Sequence, residues 1–172
     1  MFLSHYVLLI VLPYLASADF NTFQDVYSSI ADALLSLDQA VFNISSELSI
    51  VSSLTPATKF VIETIHNGTQ VISAAPGLEM TEMSLFLVTS KTLVDATNLT
   101  VSDLESKKSL IASANATGIV SGLVNQLQMA MKEFIPVVMS KVPVDIRSLA
   151  QDQAAVVTES LDIGVRLFQG AR

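Results

Sequence analysis

Residues 20–44 read FNTFQDVYSSIADALLSLDQAVFNI, from Phe20 to Ile44. Within this stretch Phe20, Phe23, Tyr27, Ile30, Leu34, Leu37, Val41 and Ile44 follow one another in alternating steps of three and four residues. Between them stand Asp25, Ser28, Ser29, Asp32, Ser36, Asp38, Gln39 and Asn43, and nothing in the stretch breaks a helix. Residues three and four apart share one face of an α-helix, so the segment has an apolar stripe and a polar back. At 1.5 Å per residue it would run about 37 Å. A single-stripe helix of that length needs partners along it, and the rest of the chain should supply them.

The same periodicity recurs downstream. After Ile44 a Ser-rich passage ends the first helix, and Thr55-Pro56 reads as a restart with Thr as N-cap and Pro at the first helical position. The second helix is expected to Ser73, with Phe60, Ile65 and Ile72 on one face and Val61 and Ile62 widening it, before Ala74-Ala75-Pro76-Gly77 stops it. A third opens near Glu79 and carries Met83, Phe86, Leu93, Thr97, Val101, Leu104 and Ile111 before Asn115 to Gly118 breaks it, with a second candidate break near Asn98–Thr100. Lys107 and Lys108 fall late in it and read as two solvated lysines. A fourth carries Val120, Val124, Leu127, Met131, Phe134 and Val138, with Pro136 expected to kink it. A fifth, from about Val144, carries Ile146, Ala150, Ala154, Val157, Leu161, Val165 and Phe168, with Asp162 and Arg166 paired on its outer side. No segment alternates with period two. The expected fold is all-α, an antiparallel bundle of about five amphipathic helices without disulfides.

The first residues read as an address. Tyr6–Leu12 is a short apolar run, followed by Pro13 and Ala16-Ser17-Ala18, the pattern of a secretory leader cut after Ala18. The run is shorter than the ~20 apolar residues of a membrane span. Two parts are therefore expected: a signal peptide over 1–18 and one helical-bundle domain over 19–172. The segment 1–18 holds no Asp, Glu, Lys or Arg, so the net formal charge of −7 belongs to the domain. An acidic chain with no basic cluster argues against nucleic acid and anionic membrane surfaces as partners. No cysteine is present, so the core alone must hold the domain. The end, Phe168-Gln169-Gly170-Ala171-Arg172, has no apolar tail of the GPI-signal kind, and a soluble secreted protein is expected. Four Asn-x-Ser/Thr sequons, at Asn43, Asn67, Asn98 and Asn115, fit that address as glycosylation sites.

Chemistry is sparse. After the leader the chain has one histidine, His66, so no Cys-His pair exists, and no serine sits in a Gly-x-Ser-x-Gly elbow. Glu63-Thr64-Ile65-His66 has the Glu-x-x-His spacing of di-iron bundles, but that site needs two such motifs and two more glutamates. Asp25, Asp32 and Asp38 read as a solvated face. No catalytic residue, metal or cofactor is expected. What remains is an apolar inventory rich in Met (Met80, Met83, Met129, Met131 and Met139) and Phe, suited either to plain core or to surfaces accepting varied apolar shapes.

Taken together, Leu104, Lys107-Lys108, Gly118-Ile119-Val120, Leu127, Ser140-Lys141-Val142-Pro143, Ala150, Leu161 and Phe168 resemble the hydrophobic surface-binding protein A family of filamentous fungi, which includes cell-wall galactomannoproteins. The Asn21-Thr22 start of the first helix fits too, so the resemblance covers nearly all of 19–172. The Asn115-Ala116-Thr117 sequon and the proline at Phe134-Ile135-Pro136 depart from the pattern. The resemblance implies a secreted, non-enzymatic glycoprotein, extracellular or in the cell wall, that binds hydrophobic surfaces or lipids such as fatty acids. Cell-wall polysaccharide or a secreted hydrolase are the further partners it implies, with no transmembrane span. On size, flexibility and inward phase, the residues expected to line a lipid site are Phe60, Met83, Phe86, Leu127, Met131 and Phe134. Two other readings stand beside this one: a purely structural wall mannoprotein, and a secreted effector that binds a host protein.

Overall fold

The structure is a computed structural model that describes residues 3–46 and 50–169, with side chains from Phe20 onward. The cleavage site at Ala16-Ser17-Ala18 and the chain end Gly170–Arg172 lie outside the described side chains. Five long helices form the body: α1 (Leu3–Phe42), α2 (Thr55–Ala74), α3 (Met83–Ser106), α5 (Thr117–Lys141) and α6 (Arg147–Phe168). A short helix, α4 (Lys108–Ser113), follows α3. One π-helical turn (Ile50–Leu54) and two 3-10 turns (Met80–Glu82 and Val144–Ile146) lead into α2, α3 and α6. No strand occurs among the described residues, and the all-α bundle read from the periodicity is the fold observed.

The arrangement is a closed ring. Each long helix packs mainly against two others, in the order α1–α2–α5–α6–α3 and back to α1. Cross-helix pairs fix the directions. Gly68 of α2 lies against Val26 and Ile30 of α1, Tyr27 and Phe23 of α1 meet Phe86 of α3, and Asn98 of α3 meets Ser160 of α6. Gln128 of α5 meets Asp162 of α6, and Lys141 of α5 reaches the carbonyl of Ser73 at the end of α2, 2.9 Å away. Consecutive long helices thus run in opposite directions, while α1/α3, α3/α6 and α2/α5 are parallel neighbours. The apolar stripe of every helix points to the centre of the ring. Every residue of the α1 heptad series from Phe20 to Ile44 is buried.

Local departures from the expected pattern have physical causes. Thr55 is the first residue of α2 rather than its N-cap, because the π turn before it enters with helical dihedrals at Leu54 and anchors itself by burying Ile50 and Leu54. The buried face of α2 is Thr58, Val61, Ile65, Gly68 and Ile72, so Phe60 faces outward, 56% exposed. The third run breaks at Lys107 rather than near Asn98–Thr100. Lys107 is not merely solvated: its ammonium lies 5.4 Å from the centre of the Phe42 ring and 3.4 Å from the Ile44 carbonyl. Asp162 turns to Gln128 and Lys132 of α5 instead of pairing with Arg166 along its own helix. At the start of α3, Glu79 and Glu82 make a reciprocal capping box, with the Glu79 amide donating to Glu82 Oε2 at 3.0 Å. α5 continues through Pro136, whose ring is exposed.

Two glycines make a matched test of this packing. A Cβ on Gly68 would stand 2.7 Å from Cγ1 of Val26, a β-branched side chain that cannot swing away freely. Gly122, in the exposed interior of α5, has nothing within 4 Å of such a Cβ. Gly68→Val is therefore expected to cost about 1–3 kcal/mol by wedging α1 from α2. Gly122→Ala should gain roughly 0.5–1 kcal/mol from helix propensity. Urea unfolding of the two variants checks both signs.

On the α1/α3 seam, partial burial raises the pKa of Asp38, and the nearby Asp103 carboxylate pushes it the same way. Its Oδ1 is buried without a hydrogen-bond partner. Because the folded chain holds this proton more tightly than the unfolded chain does, the linked stability is present at low pH. It is lost as pH rises through the ordinary aspartate value of 3.8 toward the raised folded value. Asp38→Asn is expected to raise stability at neutral pH by a few tenths of a kcal/mol, solvent screening keeping the effect small. The variant should also flatten that fall as the pH rises above 3.8, followed by thermal unfolding from acidic to neutral pH.

Candidate functional site

Closing five amphipathic helices into a ring leaves space along the axis that their side chains do not wholly fill. Two cavities lie there. The first, with about 30 Å³ of open space, is bounded by Tyr27 of α1, Phe86, Ser90 and Leu93 of α3, Phe134 and Val138 of α5, and Ala150, Gln153 and Val157 of α6. Its aromatic wall is continuous: the Tyr27 ring stands 5.6 Å from both Phe86 and Phe134, edge-on to the former. Burial raises the pKa of the Tyr27 phenol far above its usual value, so the group is neutral at every physiological pH.

One flank of this cavity is polar. Ser90 Oγ donates to Gln153 Oε1, and Gln153 Nε2 donates to the Leu87 carbonyl at 3.2 Å. Ser90 is buried and Gln153 half-buried. An amide nitrogen carries two N–H groups, so Gln153 keeps a second donor for a guest.

The second cavity, with about 20 Å³ of open space, sits toward the other end of the ring, lined by Leu34, Leu37, Leu54, Val101, Leu104, Leu127 and Leu161 among others. Two of its hydroxyls are committed. Thr97 donates to the Leu93 carbonyl at 2.8 Å, and Thr100 to Ala96 at 3.0 Å and Leu34 at 3.3 Å. In neither cavity is there much more open room than a water molecule needs, so a larger guest must push side chains apart. On the outside, a solvent-open groove of about 470 Å³ lies between α1 and α2 beside Asn67 and Gly68.

Of the six residues expected to line a site, Phe86 and Phe134 bound the first cavity and Leu127 the second. Met83 and Met131 are buried core residues outside both linings, and Phe60 points to solvent. Ser90 and Gln153 were not foreseen, although Ser90 stands at the inward phase between Phe86 and Leu93 and that alone could have flagged it. His66 lies 3.7 Å from Glu133 on the exposed α2/α5 seam. Among the described residues no three His, Asp or Glu side chains gather in one place. None of their helices is long and apolar enough to cross a membrane.

Residues 20–140 match the profile of the family described as hydrophobic surface binding protein A. The chain belongs to that family. Cell wall mannoprotein 1 of Aspergillus flavus is 26% identical over 147 residues, 84% of this chain and 52% of the mannoprotein, so the chain spans about half the length of the curated relative it matches. Among solved structures, ligand binding domain 1 of the Penicillium marneffei MP1 protein, complexed with arachidonic acids, is similar with a TM-score of 0.83 at 20% identity, covering 88% of this chain and 99% of that one. The protein AFMP4P in complex with palmitic acid is similar with a TM-score of 0.79 at 15% identity, over 88% and 100% of the two chains. At these identities the likeness shows a shared fold. This member of the hydrophobic surface binding protein A family therefore has the same helical ring as domains that hold fatty acids.

Proposed function

We propose that this chain is a secreted, non-enzymatic lipid-binding domain whose lumen accepts the acyl chain of a fatty acid. The observation that carries the reading is the lumen: two apolar cavities on one axis of a closed helical ring, with a single polar flank at Ser90 and Gln153. Such a site rewards a guest with a long apolar body and one polar end. The fatty acids in the similar MP1 and AFMP4P structures support the ligand class. The acyl chain would follow the axis, with its carboxylate toward Gln153 and Ser90. A domain without disulfides, closed by side-chain packing alone, can part its helices to admit it. In this reading the leader is removed after Ala18, and the four sequon asparagines, all exposed, carry glycans on the outside of the ring.

A second site of action has its own observation. Leu149, Val156 and Ile163 lie seven residues apart on the outer flank of α6, each 39–51% exposed. That line of apolar groups suits adsorption to an apolar surface without opening the ring.

Native mass spectrometry of the secreted, deglycosylated protein titrated with palmitic acid tests the proposal. A stoichiometric adduct is expected. A protein that stays empty at excess lipid, yet still adsorbs to apolar beads, would shift the function to the outer flank of α6.

A further inference from the structure

The two cavities are separated by little. On α1 the lining passes from Tyr27 in the first to Leu34 in the second, skipping Ile30. On α5 it passes from Phe134 to Leu127, skipping Met131. Ile30 follows Tyr27 by three residues and precedes Leu34 by four, and Met131 stands likewise between Leu127 and Phe134, so both point into the ring. Ile30 is fully buried and Met131 is 1% exposed. On α2, Ile65 is fully buried one turn from Gly68, whose position touches Ile30 and Phe134. Three side chains therefore divide the axis into two chambers.

They differ in stiffness. Ile30 and Ile65 are β-branched and held near one rotamer on a helix. Met131 is unbranched and has three rotatable side-chain bonds. If the partition opens, Met131 is the part that moves.

We infer that Met131 is a movable septum that sets the acyl chain length the lumen accepts. With Met131 in place, each chamber can take only a short chain, and only once its walls part; swung aside, Met131 joins the two into one channel for a single long chain. The inference rests on the fatty-acid reading above and adds the residue that decides chain length.

Isothermal titration of octanoic, palmitic and arachidonic acid into wild type, Met131→Ala and Met131→Phe tests it. Met131→Ala should strengthen palmitic and arachidonic acid by about tenfold and leave octanoic acid unchanged. Met131→Phe should weaken the two long acids by about tenfold or more and spare octanoic acid. Should Met131→Phe fail to fold, Met131→Ile, of similar volume but β-branched, carries the blocking arm. Wild type that binds an acid, with the long-to-short ratio unchanged in both variants, overturns the septum alone. Wild type that binds none of the three acids overturns the fatty-acid reading, and the septum with it.

Discussion

Phe134→Ala is expected to lower the unfolding free energy by about 3–5 kcal/mol, the range for emptying a large aromatic site in a closed core. Phe134 is 1% exposed, lies at a tilt to Tyr27, lines the first cavity and packs near Gly68 of α2. It is thus held from several sides of the ring, and the surroundings are poorly placed to collapse into the gap. For a domain of this size the loss is a large share of a typical total of 5–15 kcal/mol. Urea unfolding followed by circular dichroism measures it. The same gap enlarges the proposed lipid site, so palmitic acid should restore part of the lost stability in proportion to the logarithm of its concentration. A loss below about 1 kcal/mol would show that the neighbouring side chains close over the vacancy, and Phe134 would then not be held from several sides of the ring.

The second large effect concerns the ligand. Replacing Ser90 with Ala and Gln153 with Leu together removes the polar flank of the first cavity while leaving its shape nearly intact. Hydrogen bonds to a charged group contribute about 1.5–3 kcal/mol each, so palmitic acid should bind roughly ten- to a hundredfold more weakly. Methyl palmitate, which has the same chain and no charge, should bind the double variant about as well as it binds wild type. Calorimetry with both ligands decides it: equal losses for acid and ester would place the carboxylate elsewhere. Ser90 and Gln153 are removed together so neither is stranded, and the Leu87 carbonyl that Gln153 also meets lies inside α3 and keeps its helical hydrogen bond, so the variant should fold normally.

The helices were legible because apolar spacing is a local signal, and the α1 series from Phe20 to Ile44 is buried without exception. What was misread shows the limits of that signal. Size and apparent phase put Phe60 on one face with Ile65 and Ile72, yet it is exposed. The true phase of α2 runs Thr58, Val61, Ile65, Gly68, Ile72, in which a threonine and a glycine occupy inward positions that apolar counting passes over. Lys107 and Asp162 find partners on other helices, at Ile44 and Phe42 and at Gln128 and Lys132, and nothing in the residues beside them announces this. The cavities are harder still to foresee. They exist because five stripes meet around an axis, a property of closure that no single helix carries. Phe86, Phe134 and Leu127 are candidate lining residues by their phase, and Ser90 shares that phase, whereas Gln153 is brought to the cavity only because α6 lies beside α3.

The order of helices around the ring also has a kinetic consequence. Gln128 and Asp162, across the α5/α6 hairpin, are 34 residues apart in the chain. The pairs that join α1 to α3, α3 to α6 and α2 to α5 are 66, 62 and 68 apart. Loop-closure entropy grows with separation, about 0.6 kcal/mol for each doubling, and distant contacts form more slowly than local ones. The hairpins α1/α2 and α5/α6 should therefore assemble early, as two half-shells. α3 is then the last stave, seated between α1 and α6, and its arrival seals the vessel. A nascent chain in that interval would expose the inner wall of both halves to any lipid nearby, so the first occupant can be taken up during folding.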